Sequence, residues 1–372
     1  MPPDRDLVAF VSLSTELYGA ELSLLSLCKG MPASIVAPMG PLLEHATAAG
    51  LDTREIVEAE ILALKKIGQS RSPLEVGQAI WRGSQRLRAM AIWDKRAVIS
   101  FSQWLNPALA LAAFGKSTPL VLDMHDGPFS GPGRLVQRAS VKLADRSIFV
   151  SQSNGRAVIG SERPSKHPVV HRPIEVPQSL VAAKATTAPQ GPLRVIYVGR
   201  LDPEKRVHLL LQSAERVGFD HLSVTVVGES TATENMSATM AALHPKGSFL
   251  GSVGRHVALE HMSRSDVLVT PAQGEAFGRT VFEAALLGIP AVVDSSAAAA
   301  ELIVDGVSGW VLGGKTPWTR LDDLLRTLAA EPQTVARVGS EARRRLGSLV
   351  DPDYVRAQYW AELPGNVEAV RA

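Results

Sequence analysis

The segment Thr270–Val292, TPAQGEAFGRTVFEAALLGIPAV, decides how this chain is read. Thr270 closes a short β-rich apolar run, Val267–Thr270, and Ala291–Asp294 is another such run. Between them Gly274 and Gly278 allow tight turns, and a helical pattern begins near Gly278 or Arg279. Strand, turn, helix, turn, strand is the repeating unit of a parallel sheet. The free amides of such a helix start attract an anion, by ~0.3–1 kcal/mol when exposed and up to ~2 kcal/mol when partly buried. Glu275 stands before that start and Glu283 about a turn and a half inside it. Two glutamates alone favour a capping acid and a solvated helix residue. The surrounding residues reverse that.

Upstream, Tyr197–His208 (YVGRLDPEKRVH) follows another apolar run and opens a helix. Arg200 and Lys205 put two cations beside a positive helix end, which is unfavourable unless an anion joins them. Arg can grip phosphate oxygens with two donors and Lys adds a point charge. The same rhythm extends in both directions. Strand-like runs at Leu7–Ser12, Ser34–Ala37, Ala97–Ser100, Leu120–Met124 and Ser147–Val150 alternate with helical patterns. It restarts at Leu193–Val198 and continues through Leu222–Val227, Val267–Thr270, Ala291–Asp294 and Trp310–Leu312. The stretch 176–191, VPQSLVAAKATTAPQG, has no clear period and reads as a linker. The expected organisation is an α/β domain over 1–175, the linker 176–191, a second α/β domain over 192–348, and a tail over 349–372. The tail contains a helix with Asp351 as N-cap and Pro352 at its first position. Tyr354, Tyr359 and Trp360 on it call for a packing partner.

Composition agrees with two ordinary domains. Of 372 residues 45% are apolar and 20% charged, enough to bury two cores and too apolar for a largely disordered chain. A net charge of +2 gives no global drive toward nucleic acid. The single cysteine, Cys28, excludes an intramolecular disulfide and a cage of several thiolates around zinc. No apolar run reaches the ~18–20 residues of a membrane span. Asp4, Arg5 and Asp6 before a seven-residue apolar run do not resemble a signal peptide, so a cytoplasmic location is expected.

Taken together, Gly199-Arg200-Leu201 with Lys205, Gly274-Glu275-Ala276-Phe277-Gly278 with Glu283, Leu287-Gly288-Ile289-Pro290-Ala291-Val292 and Glu301–Trp310 resemble the retaining GT-B glycosyltransferases of family 4. The resemblance is dense from 193 to 312 and sparser before 175. It implies two Rossmann-like domains facing a cleft, and transfer of a sugar from a nucleoside-diphosphate sugar with retention. Carried over, Arg200 and Lys205 hold the donor diphosphate and Glu283 the ribose hydroxyls. Glu275, with the amides of Phe277 and Gly278, holds hydroxyls of the sugar, and the amides of Thr280 and Val281 meet the distal phosphate. In the first half Tyr18-Gly19-Ala20-Glu21 stands where the family has Gly-Gly-Ala-Glu, so Gly19 is the residue placed against the donor phosphates. Met124-His125-Asp126 ends a strand, which implies that His125 lies near the reacting sugar. Ala144–Ser151 fits a further family block. His171–Glu175 departs from the family's hinge pattern, and Arg206 replaces a frequent glycine.

Charge on the leaving phosphate is expected to be held by Arg200, Lys205 and the helix start, and with that positive field supplied the donor substrate needs neither metal nor other cofactor. The acceptor, a glycan, lipid-linked or small molecule, is left open. The alternatives are a sugar-nucleotide epimerase of related fold and a non-catalytic sugar-nucleotide binder. Gly309–Thr316 (GWVLGGKT) matches a phosphate-loop pattern formally, but its interior is strand-like. Asp351-Pro352-Asp353 reads as helix capping rather than a metal motif. Two basic stretches point to a different partner. Residues 62–96 carry eight basic side chains against Glu75 and Asp94, with Trp81 and Trp93 among them. Arg134, Arg138, Lys142 and Arg146 recur every four residues, as on one helical face. Such faces are solvated in most proteins; the other reading is peripheral contact with an anionic membrane.

Overall fold

Alternation of side chains along the strands builds both halves of the molecule. In the computed structural model, residues 6–69, 72–160, 167–183, 191–230, 235–315 and 317–364 are described. Strand β1 (Val8–Val11) sends Val8 and Phe10 into one apolar layer and Ala9 and Val11 into another. Burial on both faces is what a parallel sheet covered by helices demands, which is why its strands read as continuous apolar runs. Beside it lie β2 (Ala33–Ala37), β3 (Asp52–Glu55), β4 (Ala97–Ser100), β5 (Leu120–Met124) and β6 (Arg146–Phe149). They form one six-stranded sheet, ordered β3-β2-β1-β4-β5-β6, in which every pairing is parallel.

The second sheet repeats the plan. Its strands are β7 (Leu193–Val198), β8 (Leu222–Val227), β9 (Ser248–Phe249), β10 (Val267–Thr270), β11 (Ala291–Asp294) and β12 (Trp310–Leu312). The order is β12-β11-β10-β7-β8-β9, again wholly parallel. Both are doubly wound Rossmann-like sheets, the pair of domains of the GT-B fold. Each has a switch point where the strand order reverses, between β1 and β4 and between β7 and β10, and loops at such points part to leave a crevice.

The chain divides into one unit of Met1–Pro173 with the chain from Pro352, and a second unit of Ile174–Asp351. The helix Pro352–Ala361 is therefore part of the first core. Tyr359 and Trp360 are buried there beside Phe10, at ring-centroid distances of 6.2 Å, and Trp360 Nε1 donates to Leu27 O at 2.8 Å. The segment expected as a linker differs from the reading. Residues 178–183 form a helix, Gln178–Ala183, within the second unit. Its QSLVAA sequence is helix-compatible but too short to show a period; residues 184–190 lie outside the described residues.

Two strands, β3 and β9, have no apolar run to announce them. β3 is a polar edge (DTRE), and β9 has two residues. The basic face proposed for 134–146 is also shorter than the four-residue spacing suggests. Its helix stops at Leu143, Arg146 lies in β6 and pairs with Glu362, and Arg138 Nε donates to Val158 O. Trp310–Leu312 is strand β12, as the rejection of the phosphate-loop reading expects; Thr316 lies outside the described residues. No helix among the described residues is long and apolar enough to cross a membrane.

Trp360→Ala empties a large, fully packed site and leaves the Leu27 carbonyl without its donor. Urea denaturation should register a loss of about 3–5 kcal/mol. A loss under about 1 kcal/mol would show the helix to be peripheral to the first core.

Candidate functional site

The switch point of the second sheet collects most of the residues singled out above. Gly199 and Arg200 follow β7, and the Glu275 loop follows β10, its neighbour in the sheet. The two loops line one cavity of about 160 Å³ together with Lys205, Gly278, Thr280 and Val281. The loop after β7 approaches its neighbours without room for side chains. A Cβ on Gly228 would lie 1.8 Å from Gly199 O, and Gly228 has φ +139°. Gly278 is the N-cap of the helix Arg279–Leu286 at φ +82°, a left-handed conformation that glycine adopts at little cost.

The cations are already balanced. Lys205 Nζ forms a short ion pair with Glu275 Oε2. Arg200 pairs with Asp202 through Nη1 and with Glu204 through Nη2, the latter at 3.2 Å. Asp202 is buried and also accepts from Ser230 Oγ at 2.6 Å. Tyr197 lines the cavity and donates its hydroxyl to Arg200 O; burial, and then the charge of Glu275, push its phenol well above the usual value. It is therefore a neutral donor near neutral pH.

The Glu275 loop is pinned from behind. Gly274 N donates to Ser296 Oγ at 3.0 Å, and Glu275 O accepts from Ala298 N at 2.8 Å. Ser296 in turn donates to Asp294 Oδ1, through its amide at 2.9 Å and its hydroxyl at 2.7 Å. Asp294 Oδ2 accepts from Trp318 Nε1 at 2.7 Å and Arg206 Nη1 at 3.0 Å. Burial opposes the Asp294 charge, but these partners hold its carboxyl below the usual range. Arg206 has φ +55° and lies 5.8 Å over the Trp318 ring. Its ion pair with Asp294 ties the turn that carries Lys205 to the strand end that supports Glu275.

Glu283 is buried and does not line the cavity. Its Oε1 accepts from Arg279 Nε at 3.0 Å and from Arg255 Nε and Nη2 at 3.1 and 2.9 Å. Arg255 Nη2 also donates to Glu175 O. Burial lowers the Arg279 pKa against the opposing pull of Glu283. Phe277 stacks on Phe282 at 4.5 Å, so its ring belongs to the packing. The amide of Val281 departs from its expected role. It donates to Gly278 O at 2.9 Å, within the first turn of its own helix.

His125 and Gly19 belong to the first unit and are not brought to this cavity by the fold of the second. Gly19 opens the helix Gly19–Cys28, where Glu21 accepts from the Tyr18 amide at 3.0 Å. His125 follows β5 with its ring tilted against Phe101 at 4.4 Å between centroids. Sequence reasoning missed Arg255, Asp202 and Asp294. Asp294 left a signal, a carboxylate closing the run AVVD beside the switch strand; Arg255 left none.

Residues 181–345 match the family model Glycosyl transferases group 1. Glycogen synthase of Mycobacterium tuberculosis is 27% identical over 300 residues, covering 75% of this chain and 71% of its own length. D-inositol 3-phosphate glycosyltransferase of Mycolicibacterium vanbaalenii is 26% identical over 266 residues, covering 64% of this chain and 58% of its own length. Among solved structures, Anabaena HepE in complex with UDP and glucose superposes with a TM-score of 0.75 at 20% identity, over 96% of this chain and 99% of that one. Sucrose-phosphate synthase of Thermosynechococcus elongatus gives 0.73 at 14% identity, over 96% and 98%. Residues 181–345 thus carry the group 1 glycosyl transferase pattern, and the two sheets carry the GT-B fold; together they support a glycosyltransferase.

Proposed function

We propose that this protein transfers a sugar from a nucleoside-diphosphate sugar to an acceptor, with retention at the anomeric carbon and without a metal ion. The observation that carries the reading is the convergence of Arg200, Lys205, Glu275 and the start of the helix Arg279–Leu286 on one switch-point cavity. The solved neighbour HepE holds UDP and glucose, which supports a nucleotide-sugar donor here.

A diphosphate entering the cavity competes with carboxylates for cations already in place. Lys205 exchanges Glu275 for a phosphate oxygen, and Arg200 shares its donors between Asp202, Glu204 and the ligand. The exchange costs little, because the diphosphate offers more negative charge than the carboxylate it displaces. Glu275, released from Lys205, is then an acceptor for sugar hydroxyls. Glu283, held through Oε1 by Arg255 and by Arg279, a residue of the cavity wall, is the proposed partner of the ribose beyond the described cavity. As the bond to the sugar breaks, charge grows on the leaving phosphate oxygen. Lys205, Arg200 and the helix start stabilise that charge more in the transition state than in the ground state. The leaving phosphate takes the acceptor proton on the same face, and no covalent enzyme intermediate forms.

The acceptor side is proposed to include an anionic membrane surface. Arg134 and Lys142 are exposed on the helix Gly133–Leu143 next to exposed Leu135 and Leu143, a pattern suited to lipid headgroups. Sedimentation with anionic liposomes at low salt should carry the protein down, and no binding there would remove this part of the reading.

Lys205→Ala and Arg200→Ala should each lower kcat by about 10²–10³-fold. Their unfolding free energies should change far less than their turnover, because the Arg200 and Lys205 side chains both keep exposed surface and each leaves its carboxylate partner with solvent or another hydrogen bond. A thermal-shift series of UDP-, GDP-, ADP- and dTDP-sugars should raise the melting temperature with one base and not the others. Unchanged turnover in both variants, or no shift with any donor, would refute the assignment.

A further inference from the structure

The histidine after β5 is held by more than its own loop. Its Nδ1 lies 2.8 Å from Asp123 Oδ1. Asp123 has no exposed side-chain surface, and three groups bind it. His125 is one, Arg172 Nη2 forms a short ion pair with the same oxygen, and Tyr359 donates its hydroxyl to Oδ2 at 2.7 Å. Arg172 is itself buried, with its guanidinium over Phe101 at 5.7 Å and over Tyr359 at 5.9 Å. Phe101 in turn is the ring that packs against His125. Nε and Nη1 of Arg172 are buried without a hydrogen-bond partner, so its bond to Asp123 is the contact that balances it. Three segments thus meet at one carboxylate, the end of β5, the chain before Pro173 and the helix Pro352–Ala361, while Phe101, after β4, packs on both His125 and Arg172.

A buried ion pair contributes little net stability, because desolvation offsets its attraction. What this one supplies is orientation. Ionised Asp123 only accepts hydrogen bonds, so Nδ1 of His125 must carry the proton. Nε2 then faces the other way, 3.9 Å from Asp126 Oδ2, and Asp126 O is fixed by Asn154 Nδ2 at 2.7 Å. The His125 side chain is 11% exposed.

We propose that Asp123, clamped by Arg172 and Tyr359, is a positioning residue that locks the His125 ring and aims its Nε2–H at a substrate oxygen. The role of His125 in sugar transfer rests on the function proposed above; the clamp does not. The charged groups that face the ring are Asp123 and Asp126 from its own strand end and Arg172 from the chain before Pro173. Tyr359 reaches it only through Asp123. Burial and Arg172 oppose the imidazolium, but the two carboxylates outweigh them and raise its pKa. The ring therefore stays charged at pH values where a free histidine, near ~6.5, has lost its proton, and the charge disappears as pH rises through the raised value. As a donor at both nitrogens it serves a hydroxyl or phosphate oxygen equally.

The test is NMR of the full chain with labelled histidine, the His125 signals being identified by their loss in His125→Gln. In the parent protein the Nδ1 proton should be slow to exchange, and the ring should titrate above the free value. Asp123→Asn should lower that titration toward the free value. Because the Asn variant leaves Arg172 unbalanced, Tyr359→Phe serves where it does not fold. The phenylalanine keeps the ring packing and should speed exchange of the Nδ1 proton. If the transferase reading also holds, Tyr359→Phe should lower kcat about ten-fold with donor KM within about two-fold. An His125 ring that titrates at the free value, or is indifferent to both substitutions while the protein stays folded, overturns the clamp whether or not the protein transfers sugar. A clamp that responds as stated in a protein without transferase activity upholds the positioning role and refutes the function alone.

Discussion

The reversal of strand order between β7 and β10 is the constraint on which the candidate site depends. Parallel strands need crossover connections, so all their carboxyl ends lie along one edge of the sheet. Where successive crossovers go to opposite faces, the loops leaving two adjacent strands diverge and a crevice opens between them. Gly199-Arg200 leaves one of those strands and the Glu275 loop leaves the other. Side chains 70 or more residues apart in the chain thereby become neighbours, as Lys205 and Glu275 show. The same rule acts in the first sheet, where Phe101 follows the switch strand β4 and His125 follows β5 beside it.

Charge in and around the second-unit cavity is arranged in matched pairs rather than as an excess of one sign. Lys205 meets Glu275, Arg200 meets Asp202 and Glu204, and Arg279 with Arg255 meets Glu283. An unpaired cation beside a positive helix end would be costly before ligand arrives. Pairing lowers that cost and also fixes the side chains near their working positions. Under the proposed function, a diphosphate at one end and hydroxyls at the other would use both partners of each pair.

Much of this was legible in the sequence, and the limits follow from physics. Ten of the strands announce themselves as apolar runs because both faces of a parallel sheet are buried; β3, a polar edge of four residues, and β9, with two, carry too little burial to do so. Glycines 274 and 278 and the helix start at Arg279 follow from local chemistry. The partners of the named residues do not. Arg255 finds Glu283 across 28 residues and Tyr359 finds Asp123 across 236, and no local pattern encodes such a meeting. Arg146 shows the opposite error: a four-residue spacing suggested one helical face, but the helix ends at Leu143 and the residue begins a strand. Spacing describes a face only while the helix continues.

The chain's return to its first unit has a consequence for how that unit works. A helix docked only by apolar contact could slide by a fraction of a turn at modest cost. Here two polar bonds fix its register: Trp360 Nε1 to Leu27 O holds it to the helix after β1, and Tyr359 hydroxyl to Asp123 holds it to the end of β5. Arg356 adds a third, donating from Nε to Ser26 O at 3.0 Å. Because Asp123 is shared with His125, a shift of the helix large enough to break the Tyr359 bond would also disturb the imidazole. The position of the helix Pro352–Ala361 and the orientation of the histidine are therefore coupled. A change at either is expressed at the other through a carboxylate that solvent does not reach.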